Sequence, residues 1–184
     1  IGIGYVEKLK LEDGKAVAAV LQSKDGRHAV KAKRIIDCTG DGDVCAKAGC
    51  GFDYGDEETG LCQPMTLMFN IGGVDWDKVR EFRNTLGDDG YKMTQVWEKA
   101  QAAGDMRPFQ KTVMGWWWTP TRPDMVGVNF THVTHVSAID ARDLTKATVE
   151  AREQAYESID VYRKYVPGME NCHMLSTPAI IGTR

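Results

Sequence analysis

Two isoleucines, Ile35 and Ile36, lead into Thr39-Gly40-Asp41-Gly42-Asp43, and small residues follow at helical spacing. That pattern predicts a buried strand over residues 35–38, a glycine turn and a helix. Gly40 and Gly42 lack a Cβ, so a ligand or a second backbone can come close and positive φ is accessible. N–H groups opening the following helix would attract anions or polar ligand atoms. Asp41 and Asp43 would either cap those donors or accept from ligand hydroxyls. A nucleotide site and a ligand-free turn are both compatible with these residues.

The remaining residues able to do chemistry are scattered. His132 and His135 stand three apart, a spacing that on a helix would suggest a metal pair. Phe130, Val133 and Val136, with Thr131 and Thr134, predict a strand instead. There the two rings point to opposite faces and cannot share a metal without a bulge, so no metal site is expected. Either histidine is a candidate proton donor to a substrate, since imidazole titrates near neutral pH, with a plain polar role as the alternative. Arg122 would clamp a substrate carboxylate or simply sit in water. Cys38, Cys45, Cys50, Cys62 and Cys172 make an odd count with no Cys-x-x-Cys pair, which argues against a disulfide framework or a structural zinc. They are expected to be buried free thiols in a reducing cytoplasm. Trp116, Trp117 and Trp118 cannot share one face of a strand; core or interface packing is favoured over an aromatic sugar platform.

These residues need a framework. Segments 6–11, 16–21 and 28–32 read as three strands of a β-meander, joined at Asp13-Gly14 and Asp25-Gly26, dipeptides that favour tight hairpins. Residues 51–63 read as a loop and 66–71 as a buried strand closed by Gly72-Gly73. Asp75 reads as the N-cap of a helix carrying Trp76, Val79, Phe82 and Leu86. A second helix spans 91–103, and strands span 110–119 and 125–138. The longest helix begins at Asp143 and buries Leu144, Thr148, Ala151, Ala155, Ile159, Tyr162 and Val166, ending at Pro167-Gly168. Residues 174–184 form a last strand running into a turn at Gly182.

Composition narrows the class. The 184 residues carry 23 basic and 26 acidic side chains, a net charge of −3. No basic patch suggests nucleic acid, and no apolar run suits a bilayer. The expectation is a soluble protein without membrane or nucleic-acid partner, placed in the cytoplasm, of undefined oligomeric state.

Several blocks together resemble the FAD-dependent oxidoreductases of the fumarate reductase and succinate dehydrogenase flavoprotein superfamily. The turn at 39–43 is similar to that family's second nucleotide-contacting strand, with Cys38 where Ala is usual. Glu57-Glu58-Thr59-Gly60-Leu61-Cys62-Gln63-Pro64-Met65-Thr66 resembles the entry into its substrate domain. Val166-Pro167-Gly168 and then Pro178-Ala179-Ile180-Ile181-Gly182-Thr183-Arg184 resemble the return toward the flavin. The resemblance implies an α+β or α/β architecture. Residues 1–50 would be part of an FAD-binding domain (meander plus parallel strand), 51–172 a substrate domain of mixed sheet and helices, and 173–184 the return segment. It implies hydride transfer between a small organic substrate and FAD. The cofactor would be contacted by Thr39, Gly40, Asp41, Gly42, Asp43, Gln63, Gly182 and Thr183, with His132, His135, Arg122 and Arg184 as catalytic candidates. The substrate-touching histidine of fumarate reductase relatives has no counterpart near Gln63.

No Gly-x-Gly-x-x-Gly occurs in the chain, although that motif would hold the pyrophosphate. Ile1-Gly2-Ile3-Gly4 lacks the third glycine. An interior piece of a larger protein is therefore expected, with the remainder of the same polypeptide as partner, little FAD of its own and no activity alone. The competing class is a non-enzymatic β-rich module that binds carbohydrate or protein.

Overall fold

The computed structural model describes residues 5–110, 113 and 115–183. The chain divides into two compact units, 1–55 and 56–184.

In the first unit β1 (Tyr5–Glu12), β2 (Lys15–Ser23) and β3 (Gly26–Lys31) form an antiparallel sheet with β2 in the middle. Glu12 pairs with Lys15, and Asp13 and Gly14 between them both have positive φ, 50° and 72°, as a type I′ turn requires. The second hairpin turns at Lys24-Asp25, between the paired Ser23 and Gly26. A five-residue helix, α1 (Asp43–Lys47), follows the glycine turn. Lys47 sets its ammonium 5.4 Å from the Tyr5 ring centroid, tying α1 to β1.

The buried parallel strand expected at 35–38 does not form. That segment has no strand partner among the described residues, and Ile36 is 84% exposed. An unpaired extended segment leaves its backbone groups to water, and Asp37 bends the chain by bonding forward to Thr39 and Cys45.

The second unit is built on a sheet of order β5-β6-β4-β7, comprising β4 (Phe69–Gly72), β5 (Gly115–Thr119), β6 (Arg122–Asn129) and β7 (His173–Ser176). Every pairing is antiparallel, and the unit combines this sheet with helices as expected. The helices are α2 (Trp76–Thr85), α3 (Thr94–Ala102) and α4 (Ala141–Tyr165). Asp75 caps α2 by accepting from the Lys78 amide, as its position implies. The longest helix starts earlier than expected. Asp140, not Asp143, is its N-cap and accepts from the amides of Arg142 and Asp143, while Asp143 uses its own carboxylate on the Ser137 amide.

The core of this unit is aromatic. Trp97 stacks on Phe130 at 4.1 Å and meets Tyr162 edge-on, and Tyr162 in turn meets Trp116. A smaller cluster of Met65, Leu67, Val133, Ala147, Ala151 and Ile181 lies beside it. Gly168 is where α4 is stopped against α2. Its φ is +91°, a Cβ there would lie 2.6 Å from the Asp75 carbonyl oxygen, and its own carbonyl accepts from the Asp75 amide at 2.8 Å.

Three strand expectations change at their ends. Of the strand expected over 110–119, Gly115–Thr119 forms β5; Lys111, Thr112 and Met114 lie outside the described residues. The strand expected over 66–71 is paired only at Met65 and Thr66, by isolated bridges, before β4 begins. The strand expected over 125–138 stops at Asn129, because Val133 is the next residue to make a bridge and His135 turns with φ +61°.

Candidate functional site

In the glycine turn, Gly40 and Gly42 have φ of +87° and +73°, and nothing lies within 4 Å of where either Cβ would be. The turn is thus left-handed at both glycines and open above them, as the spacing implies. Its donors are another matter. The Asp37 carboxylate accepts from the Thr39 amide (3.0 Å), the Thr39 hydroxyl (2.7 Å) and the Cys45 amide (2.8 Å). The Thr39 hydroxyl oxygen accepts from the Asp43 amide at 2.9 Å. Backbone donation by Cys45 and Thr39, with the Thr39 hydroxyl, holds the Asp37 carboxyl well below the usual carboxylate range. Thr39 and Asp37 therefore cap α1, the role expected of Asp41 or Asp43, and they occupy amides expected to be open to an anion. Asp37 was missed as an organiser. Its signal was present: an Asx residue two before a Thr and next to a Gly turn.

In the second unit the segment after Asn129 is held by side chains in place of a sheet neighbour. Gln154, buried on α4, accepts from the His132 amide (2.7 Å) and donates to the His132 carbonyl (3.1 Å). One amide thus satisfies both backbone groups of His132 as a strand partner would. Thr131 does the same for Leu67, accepting from its amide (2.7 Å) and donating to its carbonyl (3.1 Å). The Thr66 hydroxyl lies 2.9 Å from both Asn129 Oδ1 and the Thr131 carbonyl. These two glutamine and threonine clamps were not read from the sequence. A Gln on the apolar stripe of α4 was the available clue, since an unpaired amide in a core is costly.

His132 is half-buried and lines an open cleft of about 780 Å³ together with Phe109, Thr134, Lys146, Glu150 and Gln154. Burial pushes its pKa down, favouring the neutral ring. The Gln110 side-chain amide nitrogen sits 3.2 Å from Nδ1; with that amide donating, the ring proton resides on Nε2. Burial opposes the charge of Glu150, but bonds from Gln154 and Arg107 outweigh it and lower its pKa. Arg107 also pairs with Glu157 and stands 3.9 Å from Glu153, so one guanidinium braces the rim of the cleft that Glu150 and Glu153 line.

His135, by contrast, is exposed and its Nδ1 lies 3.0 Å from the Thr134 hydroxyl. Among the described residues no group of His, Cys, Asp and Glu is arranged to hold a metal ion. Arg122 is exposed, beside Asp124 at 3.7 Å, and opens β6 instead of lying in the connecting loop. Seven strand steps separate it from Asn129, roughly 23 Å. Thr66 pairs with Gly182 through both backbone bonds, at 3.1 and 2.8 Å, and Met65 pairs with Val133. Residues 63–66, 131–133 and 181–183 are therefore neighbours, bringing Gln63, Gly182 and Thr183 near the segment of His132. Arg184 lies outside the described residues.

The tryptophans divide. Trp116 is buried against Trp76 and Tyr162, while Trp117 and Trp118 are about half exposed. Trp117 lies across the sheet, where a Cβ on Gly115 would meet its ring at 2.8 Å and one on Gly127 at 3.5 Å. It borders a second cleft of about 280 Å³ with Met68, Asn70 and Ser176. Of the five thiols only Cys172 is buried; Cys38, Cys45 and Cys50 are exposed and Cys62 is intermediate. The expectation of buried cysteines holds for Cys172, and fails for Cys38, Cys45 and Cys50 because the first unit has almost no interior to hide them.

The chain belongs to the FAD dependent oxidoreductase family, whose model matches residues 4–184. Searches of curated proteins and of solved structures gave no match. No helix among the described residues is long and apolar enough to cross a membrane.

Proposed function

We propose that the chain works in an oxidoreductase that passes a hydride between a carbon of a small organic substrate and FAD. Residues 1–50 would serve the cofactor side, 51–172 the substrate side and 173–184 the return between them. The observation that carries this reading is His132, neutral and fixed at both ends by Gln110 and Gln154 in a cleft, in a chain of this family. The flavin, when bound, supplies the two-electron exchange. The chain's own part is to admit the cofactor, seat the substrate and move a proton. A neutral imidazole with its proton on Nε2 suits proton donation to a substrate oxygen. His135, Arg122 and Arg184 are not needed for that step.

The glycine turn fits part of the cofactor. Gly40 and Gly42 leave room for a close approach, whereas the amides of Thr39, Asp43 and Cys45 are already bonded. The turn would lie against the dinucleotide through its glycine backbone. Without a Gly-x-Gly-x-x-Gly elsewhere in these residues, affinity for FAD is expected to be weak.

A second reading, a binding module that stacks a sugar ring, has half-exposed Trp117 beside Asn70 and Ser176 in its favour. One titration separates them. The purified chain is expected to be colourless and to bind added FAD weakly, with binding lost in Gly42→Val and kept in Trp117→Ala. A stoichiometric yellow protein would overturn the expected weak affinity, and FAD binding indifferent to Gly42→Val would refute the assignment of the turn.

A further inference from the structure

The C-terminal end of α1 brings two exposed thiols together. Gly49, with φ +81°, follows Ala48. The Cys50 amide donates to the Cys45 carbonyl at 3.1 Å and the Gly49 amide to the Ala46 carbonyl at 3.0 Å. This nested pair of bonds is the Schellman motif, in which the side chains of the first and last bonded residues, here Cys45 and Cys50, meet. Usually two apolar groups occupy those places. Here both are cysteines, and both are exposed.

We propose that Cys45 and Cys50 are a reversible dithiol–disulfide site, oxidised by exchange with a low-molecular-weight disulfide. The thiolate of Cys50 attacks one sulfur of the incoming disulfide, its S–S bond breaks, and one thiolate leaves. Cys45 then gives up its proton to solvent and attacks the Cys50 sulfur. The second thiolate leaves, so one protein dithiol and one disulfide become one protein disulfide and two small thiols. Cys45 suits the second step. Its pKa is raised, chiefly by its hydrogen bond to the Asp37 carboxylate and then by burial, and a thiol of raised pKa is the stronger nucleophile once its proton is lost.

The site would act on the glycine turn. A helix of five residues has little stability of its own. Asp37 and Thr39 fix the start of α1, and a Cys45–Cys50 bond would fix its end. The site needs no flavin, so its test is independent of the reading above.

The 184-residue chain is equilibrated in mixtures of reduced and oxidised glutathione, alkylated and digested with trypsin. Cleavage after Lys47 leaves Cys45 in peptide 35–47 and Cys50 in peptide 48–78. As oxidised glutathione increases, the chain is expected to lose two of its five thiols and the two peptides to become joined. Reduction should reverse both. Cys45→Ser and Cys50→Ser should each abolish the joined species, whereas Cys38→Ser and Cys62→Ser, on the same two peptides, should leave it unchanged. Stable glutathione adducts without a joined pair would overturn the proposal. So would no joined species at any ratio, or a joined species that survives Cys50→Ser.

Discussion

The two units solve the problem of order by different means. Residues 56–184 bury an aromatic and aliphatic interior in which Trp97, Phe130, Tyr162 and Ile71 are almost wholly covered. Among the described residues of 1–55 only Ala18 and Val44 are buried apolar residues. Hairpin turns, one cation–π contact and the Asp37 cap hold that unit's shape. Burial is non-directional and cumulative, so the second unit should tolerate loss of any one polar contact better than loss of a core ring. The first unit should show the reverse. Surface features divide along the same line: the second unit offers a braced cleft, the first an open turn and exposed thiols.

The strongest way to break that contrast is to remove a ring from the packed unit. Trp97→Ala deletes the stack on Phe130 and the edge contact with Tyr162. It is expected to cost about 3–5 kcal/mol, read as a lower denaturant midpoint for exchange of amides in 56–184. A cost within about 1 kcal/mol would mean that the core is not what holds this unit. A finer test keeps the shape and removes only polarity. Thr131→Val leaves the amide and carbonyl of Leu67 without their partner in a buried place, at an expected cost of about 1–3 kcal/mol. An unchanged midpoint would show that water replaces the hydroxyl.

How far these features were legible in the sequence follows the same division. The hairpin at Asp13-Gly14, the Asp75 cap and the apolar face of α4 rest on local rules of turn chemistry and period, and the chain carries them in adjacent residues; the second hairpin, expected at Asp25-Gly26, turns one residue earlier, at Lys24-Asp25. Residues 35–38 have the composition of a buried strand, but a strand exists only with a neighbour, and none of the described residues provides one. The break after Asn129 was illegible for the opposite reason. Phe130, Val133 and Val136 keep a strand-like pattern, while the hydrogen bonds that a sheet would supply come from Gln154, 22 residues away from His132. Such long-range substitutions have no period. The openness of Gly40 and Gly42 could be read from the motif; that Asp37 would consume the neighbouring donors required knowing where the chain bends.

The smallest expected effect concerns that bend, and it tests the first unit's reliance on local bonds. Asp37 is depressed in pKa because the folded turn donates to its charged form, Cys45 and Thr39 foremost. A carboxyl depressed on folding stabilises the structure above its unfolded pKa of about 4, and that contribution is lost as pH falls through the lower folded value. Protection of the Thr39 and Cys45 amides against hydrogen exchange should therefore be full at neutral pH and decline only in strong acid. Asp37→Asn keeps one accepting oxygen but turns an amide donor toward donors, so protection at these two amides should fall at neutral pH and lose its acid dependence. Exchange across 56–184 should not change, because its order does not draw on this carboxylate. Wild-type protection in the variant would show that the backbone of Gly40 and Gly42, not Asp37, sets the turn, and the capped-turn account of the first unit would have to be given up.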